Sequence, residues 1–227
     1  MTNYVDSDME YREKIQKLFL GRPIAGIQFV VFTPIPSAFH RLFSLLHCET
    51  SSSDGFFLNA EFAVYSSKKG ILICCPMGAS AQDVMFLFSN VDYYFFGLAG
   101  GLKDSFSIGD IVTVNAIFTE SGSMVNLCPI NGVKSVKLAF SPCFLGPTAA
   151  AYQKKARLVG ADVVDMESVF CVKAAGCCAN RFSELLVISD LPGKREVWEC
   201  AECDFSATQQ GVDQALSELV RWVNYGK

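Results

Sequence analysis

The stretch Ile24–Thr33 is an almost unbroken apolar run, stopped by Pro34-Ile35-Pro36. A strand with one wet face alternates apolar and polar residues, so a run without alternation predicts a strand covered on both sides. Similar runs recur at Gly70–Cys75, Tyr93–Phe96, Ile111–Phe118, Ala161–Val164 and Leu185–Ser189, with a further strand over Phe56–Tyr65. Between them lie segments with helical spacing: Asp8–Leu20, a helix opened by Ser37 with Phe39, Leu42, Phe43 and Leu46 on one face, Ser80–Phe88, Thr148–Val159 stopped by Gly160, a helix from Asp165 or Met166 to about Ala175, and Thr208–Asn224. Doubly covered strands alternating with helices predict an α/β fold, a single domain with a mixed, largely parallel central β-sheet flanked by helices. The expected division is an N-terminal helical extension over 1–23 and the α/β domain over 24–227. A chain of 227 residues supports one sizeable core rather than two.

Composition excludes several functions. Asp plus Glu (23) outnumber Lys plus Arg (19), a net charge of -4, and no long basic run is present. A protein that displaces counterions from nucleic acid needs the opposite balance, so no nucleic-acid partner is expected. The most apolar stretch, Val84–Leu102, is broken by Ser89-Asn90, Asp92 and glycines, so it predicts two buried elements and no membrane span. Met1–Glu13 is polar and acidic, unlike a secretory leader, so a cytoplasmic location is expected. The ten cysteines include the adjacent pairs Cys74-Cys75 and Cys177-Cys178, which suit small core residues in a reducing compartment. Cys200-Ala201-Glu202-Cys203 is a lone CxxC far in sequence from His40 and His47, so neither a metal nor an organic cofactor is expected.

Three segments carry chemistry at expected strand ends, where ligands of α/β folds bind. Gly97-Leu98-Ala99-Gly100-Gly101 has little side-chain bulk and predicts a loop that lets backbone approach a ligand. Asp165-Met166-Glu167 sets two acids beside a helix start, and a carboxylate there can accept bonds from the two hydroxyls of a ribose. Ser189-Asp190 follows an apolar strand, so Asp190 should be partly desolvated, with a raised pKa suited to a general acid. Pro76-Met77-Gly78-Ala79-Ser80 predicts free amides at a helix N-terminus, or equally a plain strand–helix turn.

Taken in order, Gly97–Leu102, Ile108-Gly109-Asp110-Ile111-Val112, Val164-Asp165-Met166-Glu167-Ser168 and Ile188-Ser189-Asp190 resemble the nucleoside phosphorylase and nucleosidase superfamily, over roughly Ile24–Asn224. The resemblance is strongest to the methylthioadenosine/S-adenosylhomocysteine nucleosidase branch. It implies a nucleoside phosphorylase-like fold, cleavage of the bond between a base and ribose C1′, a small nucleoside substrate, and a homo-oligomer, most simply a dimer. It also implies roles: Glu167 holds the ribose hydroxyls, Met166 packs under the sugar, Asp190 protonates a purine at N7, and Phe144 stacks on the base. Ala99 and Gly100 line the base pocket, and Leu145, Gly78 and Val164 join the substrate-binding set.

The chain departs from the family at the nucleophile. Nucleosidases carry a water-activating Glu after the first strand and phosphorylases a phosphate-binding Arg; the matching position here is about Ala38. Leu98 replaces the usual Ser or Thr of the glycine motif, and Phe95 stands where purine phosphorylases place an Arg. Neither can hold an anion, which weighs against phosphorolysis. Glu61, Glu120 or His40 are candidate substitutes for the activator on sequence alone. The expected activity is hydrolysis of a purine nucleoside of the methylthioadenosine, S-adenosylhomocysteine or futalosine type. A phosphate-dependent phosphorylase and a non-catalytic nucleoside-binding protein remain the alternatives.

Overall fold

In the computed structural model, residues 9–51, 62–65, 70–119, 121–143, 146–196, 199 and 205–225 are described. Strand β1 (Phe29–Thr33) is buried along its whole length, as an unalternating apolar run requires. It begins later than the apolar run predicts, because Gly26 takes a left-handed φ of 74° and the chain ahead of β1 is not extended. The chain divides into two units, Met1–Phe95 with Phe170–Phe182, and Phe96–Val169 with Ser183–Lys227.

The first unit contains α1 (Met9–Leu20), β1, α2 (Pro36–Leu45), β2 (Glu49–Ser51), β3 (Phe62–Tyr65), β4 (Gly70–Cys74) and the start of β5 (Asp92–Gly101). Its strands run in the order β5-β1-β4-β3-β2. β1 pairs in parallel with both β4 and β5, while β3 is antiparallel to β4 and to β2. The core forms where Phe32 meets Tyr93, Phe95 and Phe182, with ring centroids 5.1–6.2 Å apart. Tyr93 is fully buried, and its hydroxyl donates to the Val84 carbonyl at 3.0 Å and accepts from the Phe88 amide at 3.2 Å, so its polar end costs little. Helix α1 is tied in through Gln16, whose side-chain amide donates to the Leu87 carbonyl at 2.8 Å.

Two local expectations are corrected here. Helix α2 starts two residues early: the expected N-cap was Ser37, but Ile35 is the N-cap and Pro36 takes the first helical position. Proline suits that position because its missing N–H is unsatisfied there anyway. The expected helix over Ser80–Phe88 is a 3₁₀ helix over Gly78–Phe86 with no side-chain cap. The expected strand Phe56–Tyr65 is seen as β3; its earlier residues lie outside those described.

The second unit contains the end of β5, then β6 (Ile111–Phe118), β7 (Met124–Asn126), β8 (Lys134–Phe140), α3 (Gly146–Leu158), β9 (Val163–Asp165), the start of α4 (Ser168–Cys177), nearly all of β10 (Arg181–Asp190) and α5 (Phe205–Tyr225). The strand order is β10-β6-β8-β9-β5, with β7 on β6. β8 pairs in parallel with β6 and β9, whereas β10 and β7 are antiparallel to β6 and β9 is antiparallel to β5. The sheet is therefore mixed, with helices beside it, as the sequence predicts. Among the described residues, no helix is long and apolar enough to cross a membrane.

The Gly109-Asp110 motif fixes the far end of β10. The Gly109 amide donates to the Ile188 carbonyl at 2.8 Å, and the Ile188 amide donates to the Asp110 carbonyl at 2.9 Å. Gly109 has φ 91°, and a Cβ on it would fall 2.6 Å from the Ala207 carbonyl oxygen of α5. Glycine is thus needed both for the conformation and for the close approach. The clamp grips β10 two residues before Asp190.

Candidate functional site

The glycine motif is the end of β5 rather than a loop: Gly97–Gly101 stay in the strand. Gly100 pairs with Val164 and Gly101 with Val163 of β9. A Cβ on Gly100 would lie 2.9 Å from Pro192 Cγ, 3.2 Å from Val164 Cγ2 and 3.3 Å from Asp190 Oδ2. The missing side chain is what lets the ends of β5, β9 and β10 meet, so Gly100, Val164 and Asp190 share one place. Ala99 joins them through its carbonyl, 3.5 Å from the Ser189 hydroxyl.

Asp190 is the last residue of β10. Ser189 Oγ donates to its Oδ1 at 2.7 Å, leaving Oδ2 beside Gly100. Burial pushes the Asp190 carboxyl above its usual range; the Ser189 bond opposes this and the negative charge of Glu196 adds to it. Desolvation favours the neutral acid, the form that can donate a proton. The turn after β10 is held by Leu191 and Arg195, whose backbones bond each other at 2.8 Å, and by Arg157 Nη2 donating to the Pro192 carbonyl at 2.7 Å.

The second acid group follows β9. Glu167 is 7 % exposed, and its Oε2 accepts the Met166 amide at 3.3 Å. Met166 is half-buried. Asp165 closes the start of α4: it accepts the Ser168 amide at 3.0 Å on Oδ2, and the Ser168 hydroxyl donates to the same oxygen. Burial, then the charge of Glu167, pushes Asp165 up to about 7 against the Ser168 bonds. Glu184 of β10 joins this cluster, and sequence reasoning missed it. It is fully buried, raised first by burial and then by the charges of Asp165 and Glu167, with Ser168 opposing. A lone acid inside the apolar strand Phe182–Ile188 was the available signal.

Other expected site residues lie outside the described residues or belong to the first unit. Phe144, on which base stacking was expected, and Leu145 of the substrate-binding set lie outside the described residues, as do Glu61 and Glu120. Gly78 belongs to the first unit, at the start of the 3₁₀ helix, with φ 73°. Ala38 and His40 are also in that unit: Ala38 is buried in α2, and His40 is exposed with its ring edge-on to Phe39. Phe95 is buried in the core, while Leu98 is partly exposed. Cys200 and Cys203 lie outside the described residues.

No protein-family model matches the sequence, and no match was found among curated proteins. Solved structures do match the fold. The 5′-methylthioadenosine nucleosidase of Arabidopsis thaliana superposes with a TM-score of 0.72 at 14% identity, over 88% of this chain and 97% of that one. A futalosine hydrolase mutant of Helicobacter pylori gives 0.66 at 14% identity, over 86% and 99%. The AMP nucleosidase of Bacteroides thetaiotaomicron gives 0.64 at 16% identity, over 95% and 98%. The chain shares its fold with these solved structures.

Proposed function

We propose that the protein is a nucleosidase that hydrolyses the N-glycosidic bond of a purine nucleoside, releasing free base and sugar. The observation that carries this reading is Asp190. Its carboxyl is partly buried, its proton is favoured by desolvation, and its Oδ2 lies against Gly100, whose missing side chain lets the end of β10 come that close. The neighbours in fold support the reaction class, since their names describe nucleosidases and a futalosine hydrolase.

A purine anion is a poor leaving group. Protonation at N7 by Asp190 lets the C1′–N9 bond break with its electron pair passing to a neutral base. General-acid help of this kind contributes about 10²–10⁴-fold. The sugar becomes oxocarbenium-like as the bond lengthens. Glu167 accepts bonds from the ribose hydroxyls, and its charge, held in a dry site, stabilises the developing cation. Water then adds to C1′ and gives up one proton, and solvent re-protonates Asp190 for the next turnover. Hydrolysis is favoured over phosphorolysis because Leu98 and Phe95 leave no cation where a phosphate dianion would bind.

Among substrates we favour nucleosides with an uncharged 5′ substituent, of the methylthioadenosine, S-adenosylhomocysteine or futalosine type, in an apolar, aromatic-rich chain (19 Phe in 227 residues). We also take the working form to be a cytoplasmic homodimer. The test is chromatography of free base after incubation with methylthioadenosine, S-adenosylhomocysteine, adenosine, inosine, AMP and futalosine, each with and without phosphate. Base release without phosphate is expected. Release only with phosphate overturns hydrolysis. Binding without release from any of them favours the non-catalytic alternative, which the apolar Ala38 position supports.

A further inference from the structure

Three carboxyl groups meet in the second unit, and their hydrogen bonds are shared unequally. Asp165 accepts two bonds from Ser168, one from the amide at 3.0 Å and one from the hydroxyl. Glu167 accepts the Met166 amide at 3.3 Å. Glu184 is 0 % exposed, and no donor reaches either of its oxygens among the described residues. Its backbone is anchored: Thr113 Oγ1 of β6 donates to the Glu184 carbonyl at 2.8 Å, and the next residue, Leu185, pairs with Thr113. The side chain is therefore held inside the fold. The charged groups acting on it are Asp165 of β9 and Glu167 of the loop that follows, both acids, with Ser168 of α4 as the neighbouring hydroxyl. That hydroxyl is already given to Asp165. The cluster is not arranged to hold a metal ion.

An ionised carboxylate is an acceptor only, and one buried among other acceptors has nothing to offset its lost hydration. A proton changes the count: a neutral carboxylic acid has one O–H to donate, and the two charged groups acting on Glu184 are both acceptors. Where donors are distributed unequally, charge stays on the carboxyls that receive them and the proton goes to the one that does not. We propose that Glu184 is held as a neutral carboxylic acid whose O–H donates into the Asp165–Glu167 pair, a positioning residue that keeps negative charge on Glu167 for the ribose. The inference deepens the nucleosidase reading and rests on it for its effect on catalysis, but not for the protonation state itself.

Two variants and two readouts test it. Glu184→Gln keeps the shape and an N–H donor; Glu184→Leu removes the donor and leaves an apolar side chain of similar size. Infrared difference spectra at neutral pH should show the carbonyl band of a protonated carboxylic acid in the wild type, lost in both variants. If neither variant loses such a band, Glu184 is ionised and the proposal is overturned, whatever the enzyme does. In the nucleoside assay, Glu184→Leu should lower kcat/KM by about tenfold to a hundredfold, the effect of withdrawing a buried donor. It should also move the acidic limb of the pH profile upward, because Glu167 then takes up the proton. Glu184→Gln should restore activity to within about threefold of wild type. A cooperative thermal unfolding transition retained in Glu184→Leu, even at a lower melting temperature, separates lost positioning from lost folding. Equal loss in both variants, or no loss in Glu184→Leu, overturns the donor role. If no nucleoside is cleaved by the wild type, the nucleosidase reading falls while the infrared result still decides the state of Glu184.

Discussion

The two units differ in how much chemistry they carry. In the second, the ends of β5, β9 and β10 converge through Gly100, and two acid groups stand there: Asp190 beside the glycine, and Glu167 within the Asp165–Glu184 cluster. In the first, the segment after β1 is Pro34-Ile35-Pro36-Ser37-Ala38, with Ala38 buried and no acid or cation in that stretch. On the proposed reading, the second unit holds the parts that a leaving group and a ribose demand, while the stretch after β1 in the first carries no side chain of the kind a dedicated nucleophile activator needs. Expelling a purine requires a proton delivered at one atom, which only a positioned acid supplies; water needs less help from the protein than a phosphate dianion does. On this account a nucleosidase tolerates loss of its activator better than loss of its acid.

That asymmetry is open to direct attack. The largest effect is expected for Asp190→Asn, which keeps the shape but removes the proton: base release should fall by about 10²–10⁴-fold with the melting temperature nearly unchanged. Next comes Glu167→Gln, expected to lower kcat/KM by about 10²-fold, with KM rising as ribose contacts weaken. In the first unit, His40→Ala should change activity by less than about twofold, as for an exposed surface residue. A loss as large as that of Asp190→Asn would move the nucleophile activator to α2 and erase the contrast.

The acids also set two pH dependences. In the proposed mechanism Asp190 works in its protonated form, and burial raises its pKa, so kcat/KM should fall as pH rises through that raised value. A profile that rises there instead assigns Asp190 the role of a base. For stability, Asp165 and Glu184 both bind protons more tightly folded than unfolded. Their contribution is complete below the ordinary carboxylate range and is lost as pH climbs through their folded values, past about 7 for Asp165. Melting temperature should therefore decline between about pH 5 and pH 8, and less steeply in Glu184→Leu. A melting temperature that rises over that window contradicts the raised proton affinity of Asp165 and Glu184 in the folded chain.

Much of this was legible in the sequence because it depends on local rules. Apolar runs marked β1, β4 and β10, β-rich composition after the Gly109-Asp110 turn marked β6, and Gly160, with φ 78°, marked the stop after α3. The identity of the acids at the ends of β9 and β10 was equally plain. What escaped depends on contacts distant in sequence. Gly97–Gly101 looked like a loop, but the glycines are there because β9 and Pro192 press against the strand. Glu184 was passed over because its neighbours along the chain are apolar, and its meaning comes from Asp165 and Glu167, which reach it only through folding. The 3₁₀ form of Gly78–Phe86 could not be told from an α-helix by apolar spacing over nine residues.

The most direct test of the central claim compares wild type with Asp190→Asn in phosphate-free buffer, following free base from methylthioadenosine, S-adenosylhomocysteine and futalosine by chromatography. Base release by the wild type and its near-complete loss in a folded Asp190→Asn variant is the predicted result. Release at wild-type rate by Asp190→Asn would contradict the claim that the acid at the end of β10 expels the base.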